Sequence, residues 1–178
     1  YCADHPRARA LGMERRAVRA VSYGFAPKAD YRLSKAQCGE NGCSFRIASP
    51  DGGSAHVCIP APGMHNVLNA AAAIAGACAA GIAFPEACDT VQKTAVLPAR
   101  RFERIGHPDG FTVVSDYSHH PVEIAALVQT ALTLPHKRLL AVFQPHRYSR
   151  TRTLLRSFPD AFKGVDDLVL CPVYCASE

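Results

Sequence analysis

Two short segments hold most of the side chains able to do chemistry. They are Asp116-Tyr117-Ser118-His119-His120-Pro121 and Gln144-Pro145-His146-Arg147-Tyr148-Ser149-Arg150-Thr151-Arg152. A carboxylate such as Asp116 can accept from a ribose hydroxyl, or it can cap the helix that Pro121 begins. Imidazoles exchange protons near neutral pH, and guanidiniums grip carboxylates or phosphates through a planar fork. Arg147 and Arg150, three residues apart at a helix start, would share a face beside free backbone N–H groups. The alternative for these arginines is a solvated charge cluster. Such equipment suits anionic substrates and marks the chain as enzyme machinery.

Two further groups accompany them. Gly63-Met64-His65-Asn66-Val67-Leu68-Asn69 lies where a loop enters a helix. Asn66 and Asn69 can there present carboxamides on one face, suited to the edge of adenine, or Asn66 can be an N-cap. Arg100-Arg101-Phe102-Glu103 follows a Pro-containing linker. An arginine at a domain junction can reach a nucleotide phosphate, or it can pair with Glu103 at the surface. No Gly-x-x-x-x-Gly-Lys-Ser/Thr loop, Gly-x-Gly-x-x-Gly fingerprint or His-Glu-x-x-His motif occurs in the 178 residues. If the chain handles ATP, the grip on its phosphates lies elsewhere.

The elements that must position these groups follow from periodicity and turn residues. Helix is expected over 6–16 and strand over 17–25. Short strands at 31–37, 43–48 and 55–59 are separated by Gly39-Glu40-Asn41-Gly42 and Ser49-Pro50-Asp51-Gly52-Gly53, which suit hairpins. A helix over 66–80, apolar almost all round, should be buried, with Gly81 as its C′ residue. A second helix runs from Pro85 to about Lys93, and Leu97-Pro98-Ala99 is the linker. Beyond it come strands at 101–106 and 111–115, helix at 121–134, strand at 138–143, helices at 149–156 and 156–163, and strand at 167–171. That alternation predicts βαβ units and a parallel sheet. Phe111-Thr112-Val113-Val114 and Leu139-Leu140-Ala141-Val142-Phe143 read as buried parallel strands. Their carboxyl ends, where ligands bind in such sheets, deliver the two chemical segments.

Composition sets the frame. Hydrophobic content of 48% and charged content of 20% belong to an ordinary soluble globular protein. The net charge of +5 is spread along the chain, so nucleic acid is not the expected partner. Eight cysteines show no Cys-x-x-Cys spacing and are expected to be reduced and non-liganding, with Cys171 and Cys175 the pair left open. Reduced cysteines imply a cytoplasmic home. No signal peptide or long apolar span is present, so no membrane partner is expected. Tyr1 and Glu178 both look like cuts in a longer polypeptide.

Gly63-Met64-His65-Asn66-Val67-Leu68-Asn69-Ala70, Arg100-Arg101-Phe102-Glu103, Asp116-Tyr117-Ser118-His119-His120-Pro121 and Phe143-Gln144-Pro145-His146-Arg147-Tyr148-Ser149-Arg150-Thr151-Arg152 together, in order and spacing, resemble the ATP-dependent Mur ligase family. The likeness runs through nearly the whole chain and is greatest to its alanine-adding member. It implies an α/β fold: residues 1–97 as the later part of a P-loop-type central ATP-binding domain, then 98–178 as the earlier part of a Rossmann-like C-terminal domain. It implies part of a ligase that joins L-alanine to UDP-N-acetylmuramate through an acyl phosphate, with ATP and Mg²⁺ as cofactors. The P-loop and most of the Mg²⁺ ligands would lie upstream of Tyr1, leaving this chain inactive alone. By the same resemblance Asn66 and Asn69 contact adenine, Arg101 the ATP phosphates and Asp116 the ribose. Tyr117, His119, Arg147 and Arg150 position the alanine and the acyl end of the muramate, with Arg101 and His119 as the catalytic residues. The alternatives are a murein-tripeptide ligase of the same fold and a non-catalytic nucleotide-binding module.

Overall fold

The computed structural model describes residues 1–14 and 20–178. The chain divides into two compact units, Tyr1–Val96 and Leu97–Glu178. Residues 15–19, which fall within the helix expected over 6–16 and the strand expected over 17–25, lie outside the described residues; helix α1 covers Pro6–Glu14 and strand β1 only Tyr23–Gly24.

In the N-terminal unit, β1, β2 (Tyr31–Gly39), β3 (Gly42–Ala48) and β4 (Ser54–Ile59) form one sheet in that order. β1 and β2 run parallel, and the two hairpins β2–β3 and β3–β4 are antiparallel. Period-two alternation makes one face of the sheet apolar. Cys43, Phe45 and Ile47 of β3 and Val57 and Ile59 of β4 are buried, while Arg46 and His56 point away. That face packs under α2 (Met64–Ala79), whose Val67, Ala71 and Ile74 are fully enclosed. Helix α3 (Phe84–Thr94) closes the side against α2 and β4. Gly81, at φ +99°, ends α2 as a left-handed C′ residue, and Ile82 N–H reaches back to the Ala77 carbonyl at 3.0 Å.

The first hairpin corrects one expectation. Cys38 and Cys43 are directly opposed across β2 and β3, and they form a disulfide. Their five-residue separation concealed this, because the turn at Glu40-Asn41 folds the chain back between them. The other six thiols are free, Cys171 and Cys175 included. At the same hairpin Gly42 adopts φ +125°, and a Cβ there would sit 2.0 Å from the Ile59 carbonyl oxygen. The hairpin tip therefore lies hard against the strand that leads into α2.

In the C-terminal unit, β5 (Glu103–Gly106) pairs antiparallel with β6 (Val113–Ser115) across a 3₁₀ turn at Pro108–Gly110. The expectation that Phe111 to Val114 is a buried parallel strand is thus corrected: Phe111 is exposed and outside the strand, and Val113, though in the strand, is also exposed. A parallel crossover needs a dozen or more residues, and this connection has too few. β7 (Leu140–Phe143) and β8 (Asp167–Leu170) do pair in parallel, joined through α5 (Tyr148–Leu154), a 3₁₀ turn and α6 (Phe158–Ala161). That is the expected crossover, although β7 is buried on one face only. Phe143 enters a core with Ile124 and Val128 of α4 (Pro121–Leu132) and Ala161, whereas Leu140 and Val142 are exposed. Arg138 grips Asp167 with two guanidinium nitrogens and so fixes the starts of β7 and β8 together.

Candidate functional site

The loop before α2 is held by its own asparagine. Gly63 is the N-cap, without a side-chain cap, which corrects the reading of Asn66 as the capping residue. Asn66 stands one turn in, buried, and its Nδ2 donates to the Pro62 carbonyl at 2.7 Å. Its Oδ1 accepts from Asn69 Nδ2 at 3.4 Å. Asn66 is thereby fixed in orientation, and exposed Asn69 carries the remaining donor and acceptor capacity of the pair.

In the C-terminal unit two loops are laced together by Asp116. Its Oδ2 accepts from the Phe102 amide at 2.8 Å and its Oδ1 from the Ser118 amide at 2.8 Å and from the Ser118 hydroxyl. Tyr117 N–H closes the lacing onto the Arg100 carbonyl at 2.8 Å. Arg100 and Phe102 both take positive φ, 58° and 46°. Such backbone is costly for residues with side chains and persists only where the surroundings over-determine it. Here buried Phe102 and the Asp116 carboxylate do so. The result sets Arg100 4.7 Å and Arg101 5.9 Å from the centre of the Tyr117 ring. Glu103 accepts from the Arg100 amide at 2.6 Å, so its carboxylate serves the backbone of the turn.

Asp116 does not cap α4. His120 is the N-cap, its Nδ1 accepting from Val122 N–H at 3.3 Å, and Glu123 completes a capping box. Glu123 Oε2 accepts from the amides of both His119 and His120 at 3.1 Å, and it lies 3.8 Å from His119 Nδ1. Burial pushes the Glu123 carboxyl up, but those two amides and the charges of His119 and Arg101 bring it below its ordinary value. The His119 ring is set edge-on to Tyr117 at 5.4 Å and lies 6.2 Å from the His146 ring. Arg101, Asp116, Tyr117 and His119 are therefore brought together by one pair of interlocked loops.

His146 belongs to the second segment. Its ring sits 5.5 Å from Tyr174, and the two residues form a parallel bridge, with Arg147 N–H donating to the Tyr174 carbonyl at 2.8 Å. His146 Nδ1 is buried and finds no hydrogen-bond partner among the described residues. Arg147 is the N-cap of α5 at φ 72° and is exposed; Arg150 follows one turn later, half-buried. The amide and hydroxyl of Ser149 bond the Glu178 carboxylate. Ser149 and Arg147 hold that carboxyl below its ordinary value. Glu123, His146, Tyr174 and Glu178 were not singled out from the sequence. Glu123 had a readable signal, since it falls three residues after His120 as a capping box requires; the others became neighbours only through tertiary pairing.

Among the described residues no group of three or more His, Cys, Asp or Glu side chains could hold a metal ion. No helix of the described residues is long and apolar enough to cross a membrane.

Comparison with known proteins gives a consistent result. Residues 1–77 match the Mur ligase middle domain, and residues 100–177 match the Mur ligase glutamate ligase domain. A UDP-N-acetylmuramate–L-alanine ligase from Nitratidesulfovibrio vulgaris (strain DP4) is 44% identical over 99% of this chain and 38% of its own. One from Rhodopseudomonas palustris (strain HaA2) is 38% identical over 99% of this chain and 39% of its own. The chain thus spans well under half the length of these relatives. The crystal structure of UDP-N-acetylmuramate-alanine ligase from Thermotoga maritima superposes with a TM-score of 0.70 at 27% identity, covering 86% of this chain and 34% of that one. A pseudomurein peptide ligase type C from Methanothermus fervidus shares the fold, with a TM-score of 0.71 at 18% identity over 99% of this chain and 46% of its own.

Proposed function

Because this chain belongs to the Mur ligase family, we propose that it forms part of an ATP-dependent ligase joining L-alanine to UDP-N-acetylmuramate in peptidoglycan synthesis. Residues 1–97 supply the later part of the central domain and 98–178 the earlier part of the C-terminal domain. Relatives carrying the alanine-ligase name at 38–44% identity favour alanine over a tripeptide as the acceptor. The observation that carries the reading is the interlock of Arg100–Phe102 with Asp116–His119. It gathers a phosphate-seeking guanidinium, a carboxylate and an imidazole at one place, with backbone strain maintained to do so.

In this reading the γ-phosphoryl group of ATP passes to the muramate carboxylate, giving an acyl phosphate, and the alanine amine then displaces phosphate. Negative charge builds on the transferring group, and Arg101 offsets it. In the N-terminal unit Asn69, braced by Asn66, takes the adenine edge. In the C-terminal unit Asp116 keeps lone pairs beyond its backbone bonds for the ribose hydroxyls. Tyr117, His119, Arg147 and Arg150 receive the alanine and the acyl end of the muramate. Mg²⁺ would screen the phosphates when bound, with most of its ligands and the phosphate loop supplied by the rest of the full-length polypeptide; the isolated chain is accordingly inactive. A reaction that consumes ATP and a UDP-sugar places the protein in the cytoplasm.

The test is product formation by the full-length polypeptide that carries this chain. It is given ATP, Mg²⁺ and UDP-N-acetylmuramate with L-alanine, glycine, L-serine or the murein tripeptide. UDP-N-acetylmuramoyl-L-alanine, ADP and phosphate are the expected products by mass spectrometry. Addition of the tripeptide without addition of alanine would transfer the protein to the recycling branch, and no product with any acceptor would leave the binding-module reading.

A further inference from the structure

We propose that His119 takes a proton from the attacking amine on its Nε2, and that Glu123 and the Tyr117 carbonyl hold the imidazole in the tautomer that permits this. The proposal rests on the ligase reading above and gives that site its proton acceptor.

The argument begins at Nδ1. It lies 3.0 Å from the Tyr117 carbonyl oxygen. A carbonyl can only accept, so this nitrogen carries the hydrogen. A neutral imidazole protonated on Nδ1 has its lone pair on Nε2. That atom has no hydrogen-bond partner among the described residues, and the side chain keeps 28% of its surface open. Glu123 Oε2 stands 3.8 Å behind Nδ1. It is pinned by two consecutive backbone amides at 3.1 Å, so its position does not depend on the freedom of its own side chain. The Tyr117 ring stands edge-on to the imidazole at 5.4 Å and the His146 ring lies 6.2 Å from it. Among the described residues Glu123, Tyr117 and His146 lie beside this imidazole, with Arg100 and Arg101 over the Tyr117 ring. Glu123 is therefore the anion next to the imidazole, and its carboxyl lies below its ordinary value. It balances the positive charge that appears when Nε2 takes a proton.

The step balances as follows. Alanine arrives as an ammonium ion and gives one proton to Nε2, which frees the nitrogen lone pair. The nitrogen bonds to the carbonyl carbon of the acyl phosphate. The carbon–oxygen bond to phosphate breaks with its electron pair on the phosphate oxygen, and the second surplus N–H proton passes to that oxygen. The imidazolium returns its proton to water. His119 is then a catalytic residue and Glu123 a positioning residue.

The experiment compares two nucleophiles in the full-length protein. Hydroxylamine is largely a free amine at neutral pH and needs no base to be released. With His119→Gln, turnover to the alanyl product should fall about a hundredfold, while trapping of the acyl phosphate as a hydroxamate falls far less. Glu123→Gln keeps the capping oxygen and removes the charge; it should lower alanine turnover about tenfold with the same selectivity between nucleophiles. ¹⁵N NMR of the histidine-labelled protein should show His119 protonated on Nδ1 and bare on Nε2. An equal fall with both nucleophiles, or a His119 protonated on Nε2, would overturn the proposal. A wild-type protein that forms neither product would instead overturn the ligase reading on which it rests.

Discussion

Asp116 shows how much one carboxylate can hold. The Phe102 and Ser118 amides hang on its two oxygens, so Asp116→Ala leaves two part-buried amide donors unpaired. We expect a loss of about 1–3 kcal/mol from the C-terminal unit, read by urea unfolding; a smaller loss in Asp116→Asn, which keeps one acceptor, would agree. Among the described residues Arg101 makes no comparable structural tie beyond its place near the Tyr117 ring and its charge near Glu123. Arg101→Ala in the full-length protein should therefore cut turnover by about two orders of magnitude with little change in melting temperature. Normal turnover would refute its phosphate role. Asp30 supplies a pH dependence. The Ser22 hydroxyl first, then the Ser22 and Asp30 amides against opposing burial, hold its carboxyl below the ordinary range. Its contribution to stability is then fully present above the unfolded carboxyl value of about 4 and is lost as pH falls through the lowered folded value. Urea midpoints measured down to about pH 3 should decline less in Ser22→Ala than in the parent protein. At this scale the chemically able residues were legible as types and spacings. Their internal bonds were not, because a sequence shows that Asp116 can accept but not that Phe102 N–H will arrive.

The elements followed the sequence wherever turn chemistry and local period agreed. The β2–β3 and β3–β4 hairpins, α2 ending at Gly81, and the β7–β8 crossover are such cases. Reading failed where pairing partners decide the outcome. β6 looked like a parallel core strand by its β-branched composition, yet the short Pro108–Gly110 turn returns it antiparallel onto β5. Cysteine pairing failed for the same reason, being a matter of register. Trypsin should release residues 36–46 as one peptide holding Cys38 and Cys43. Without reduction that peptide should be two hydrogens lighter than its dithiol and resist alkylation; a fully alkylated peptide from unreduced protein would contradict the bridge. Cys88 contrasts with it. Burial first, and neighbouring Cys78 second, push its thiol up to about 11, so it stays protonated and unreactive in the folded state. Exposed Cys58 and Cys175 should be alkylated first near pH 8.

For the whole molecule, the change of period around Pro98 suggests a boundary after residue 97, and the described structure separates into the units Tyr1–Val96 and Leu97–Glu178. The family follows from two domain matches and relatives spread over nearly the entire chain. In the proposed reaction a muramate carboxylate is activated by phosphorylation and captured by alanine. The most direct measurement gives the full-length protein UDP-N-acetylmuramate labelled with oxygen-18 in its carboxylate, together with ATP, Mg²⁺ and L-alanine. Transfer through an acyl phosphate carries one labelled oxygen into each inorganic phosphate released, in step with amide formation. Unlabelled phosphate, or label appearing in AMP, would contradict the account.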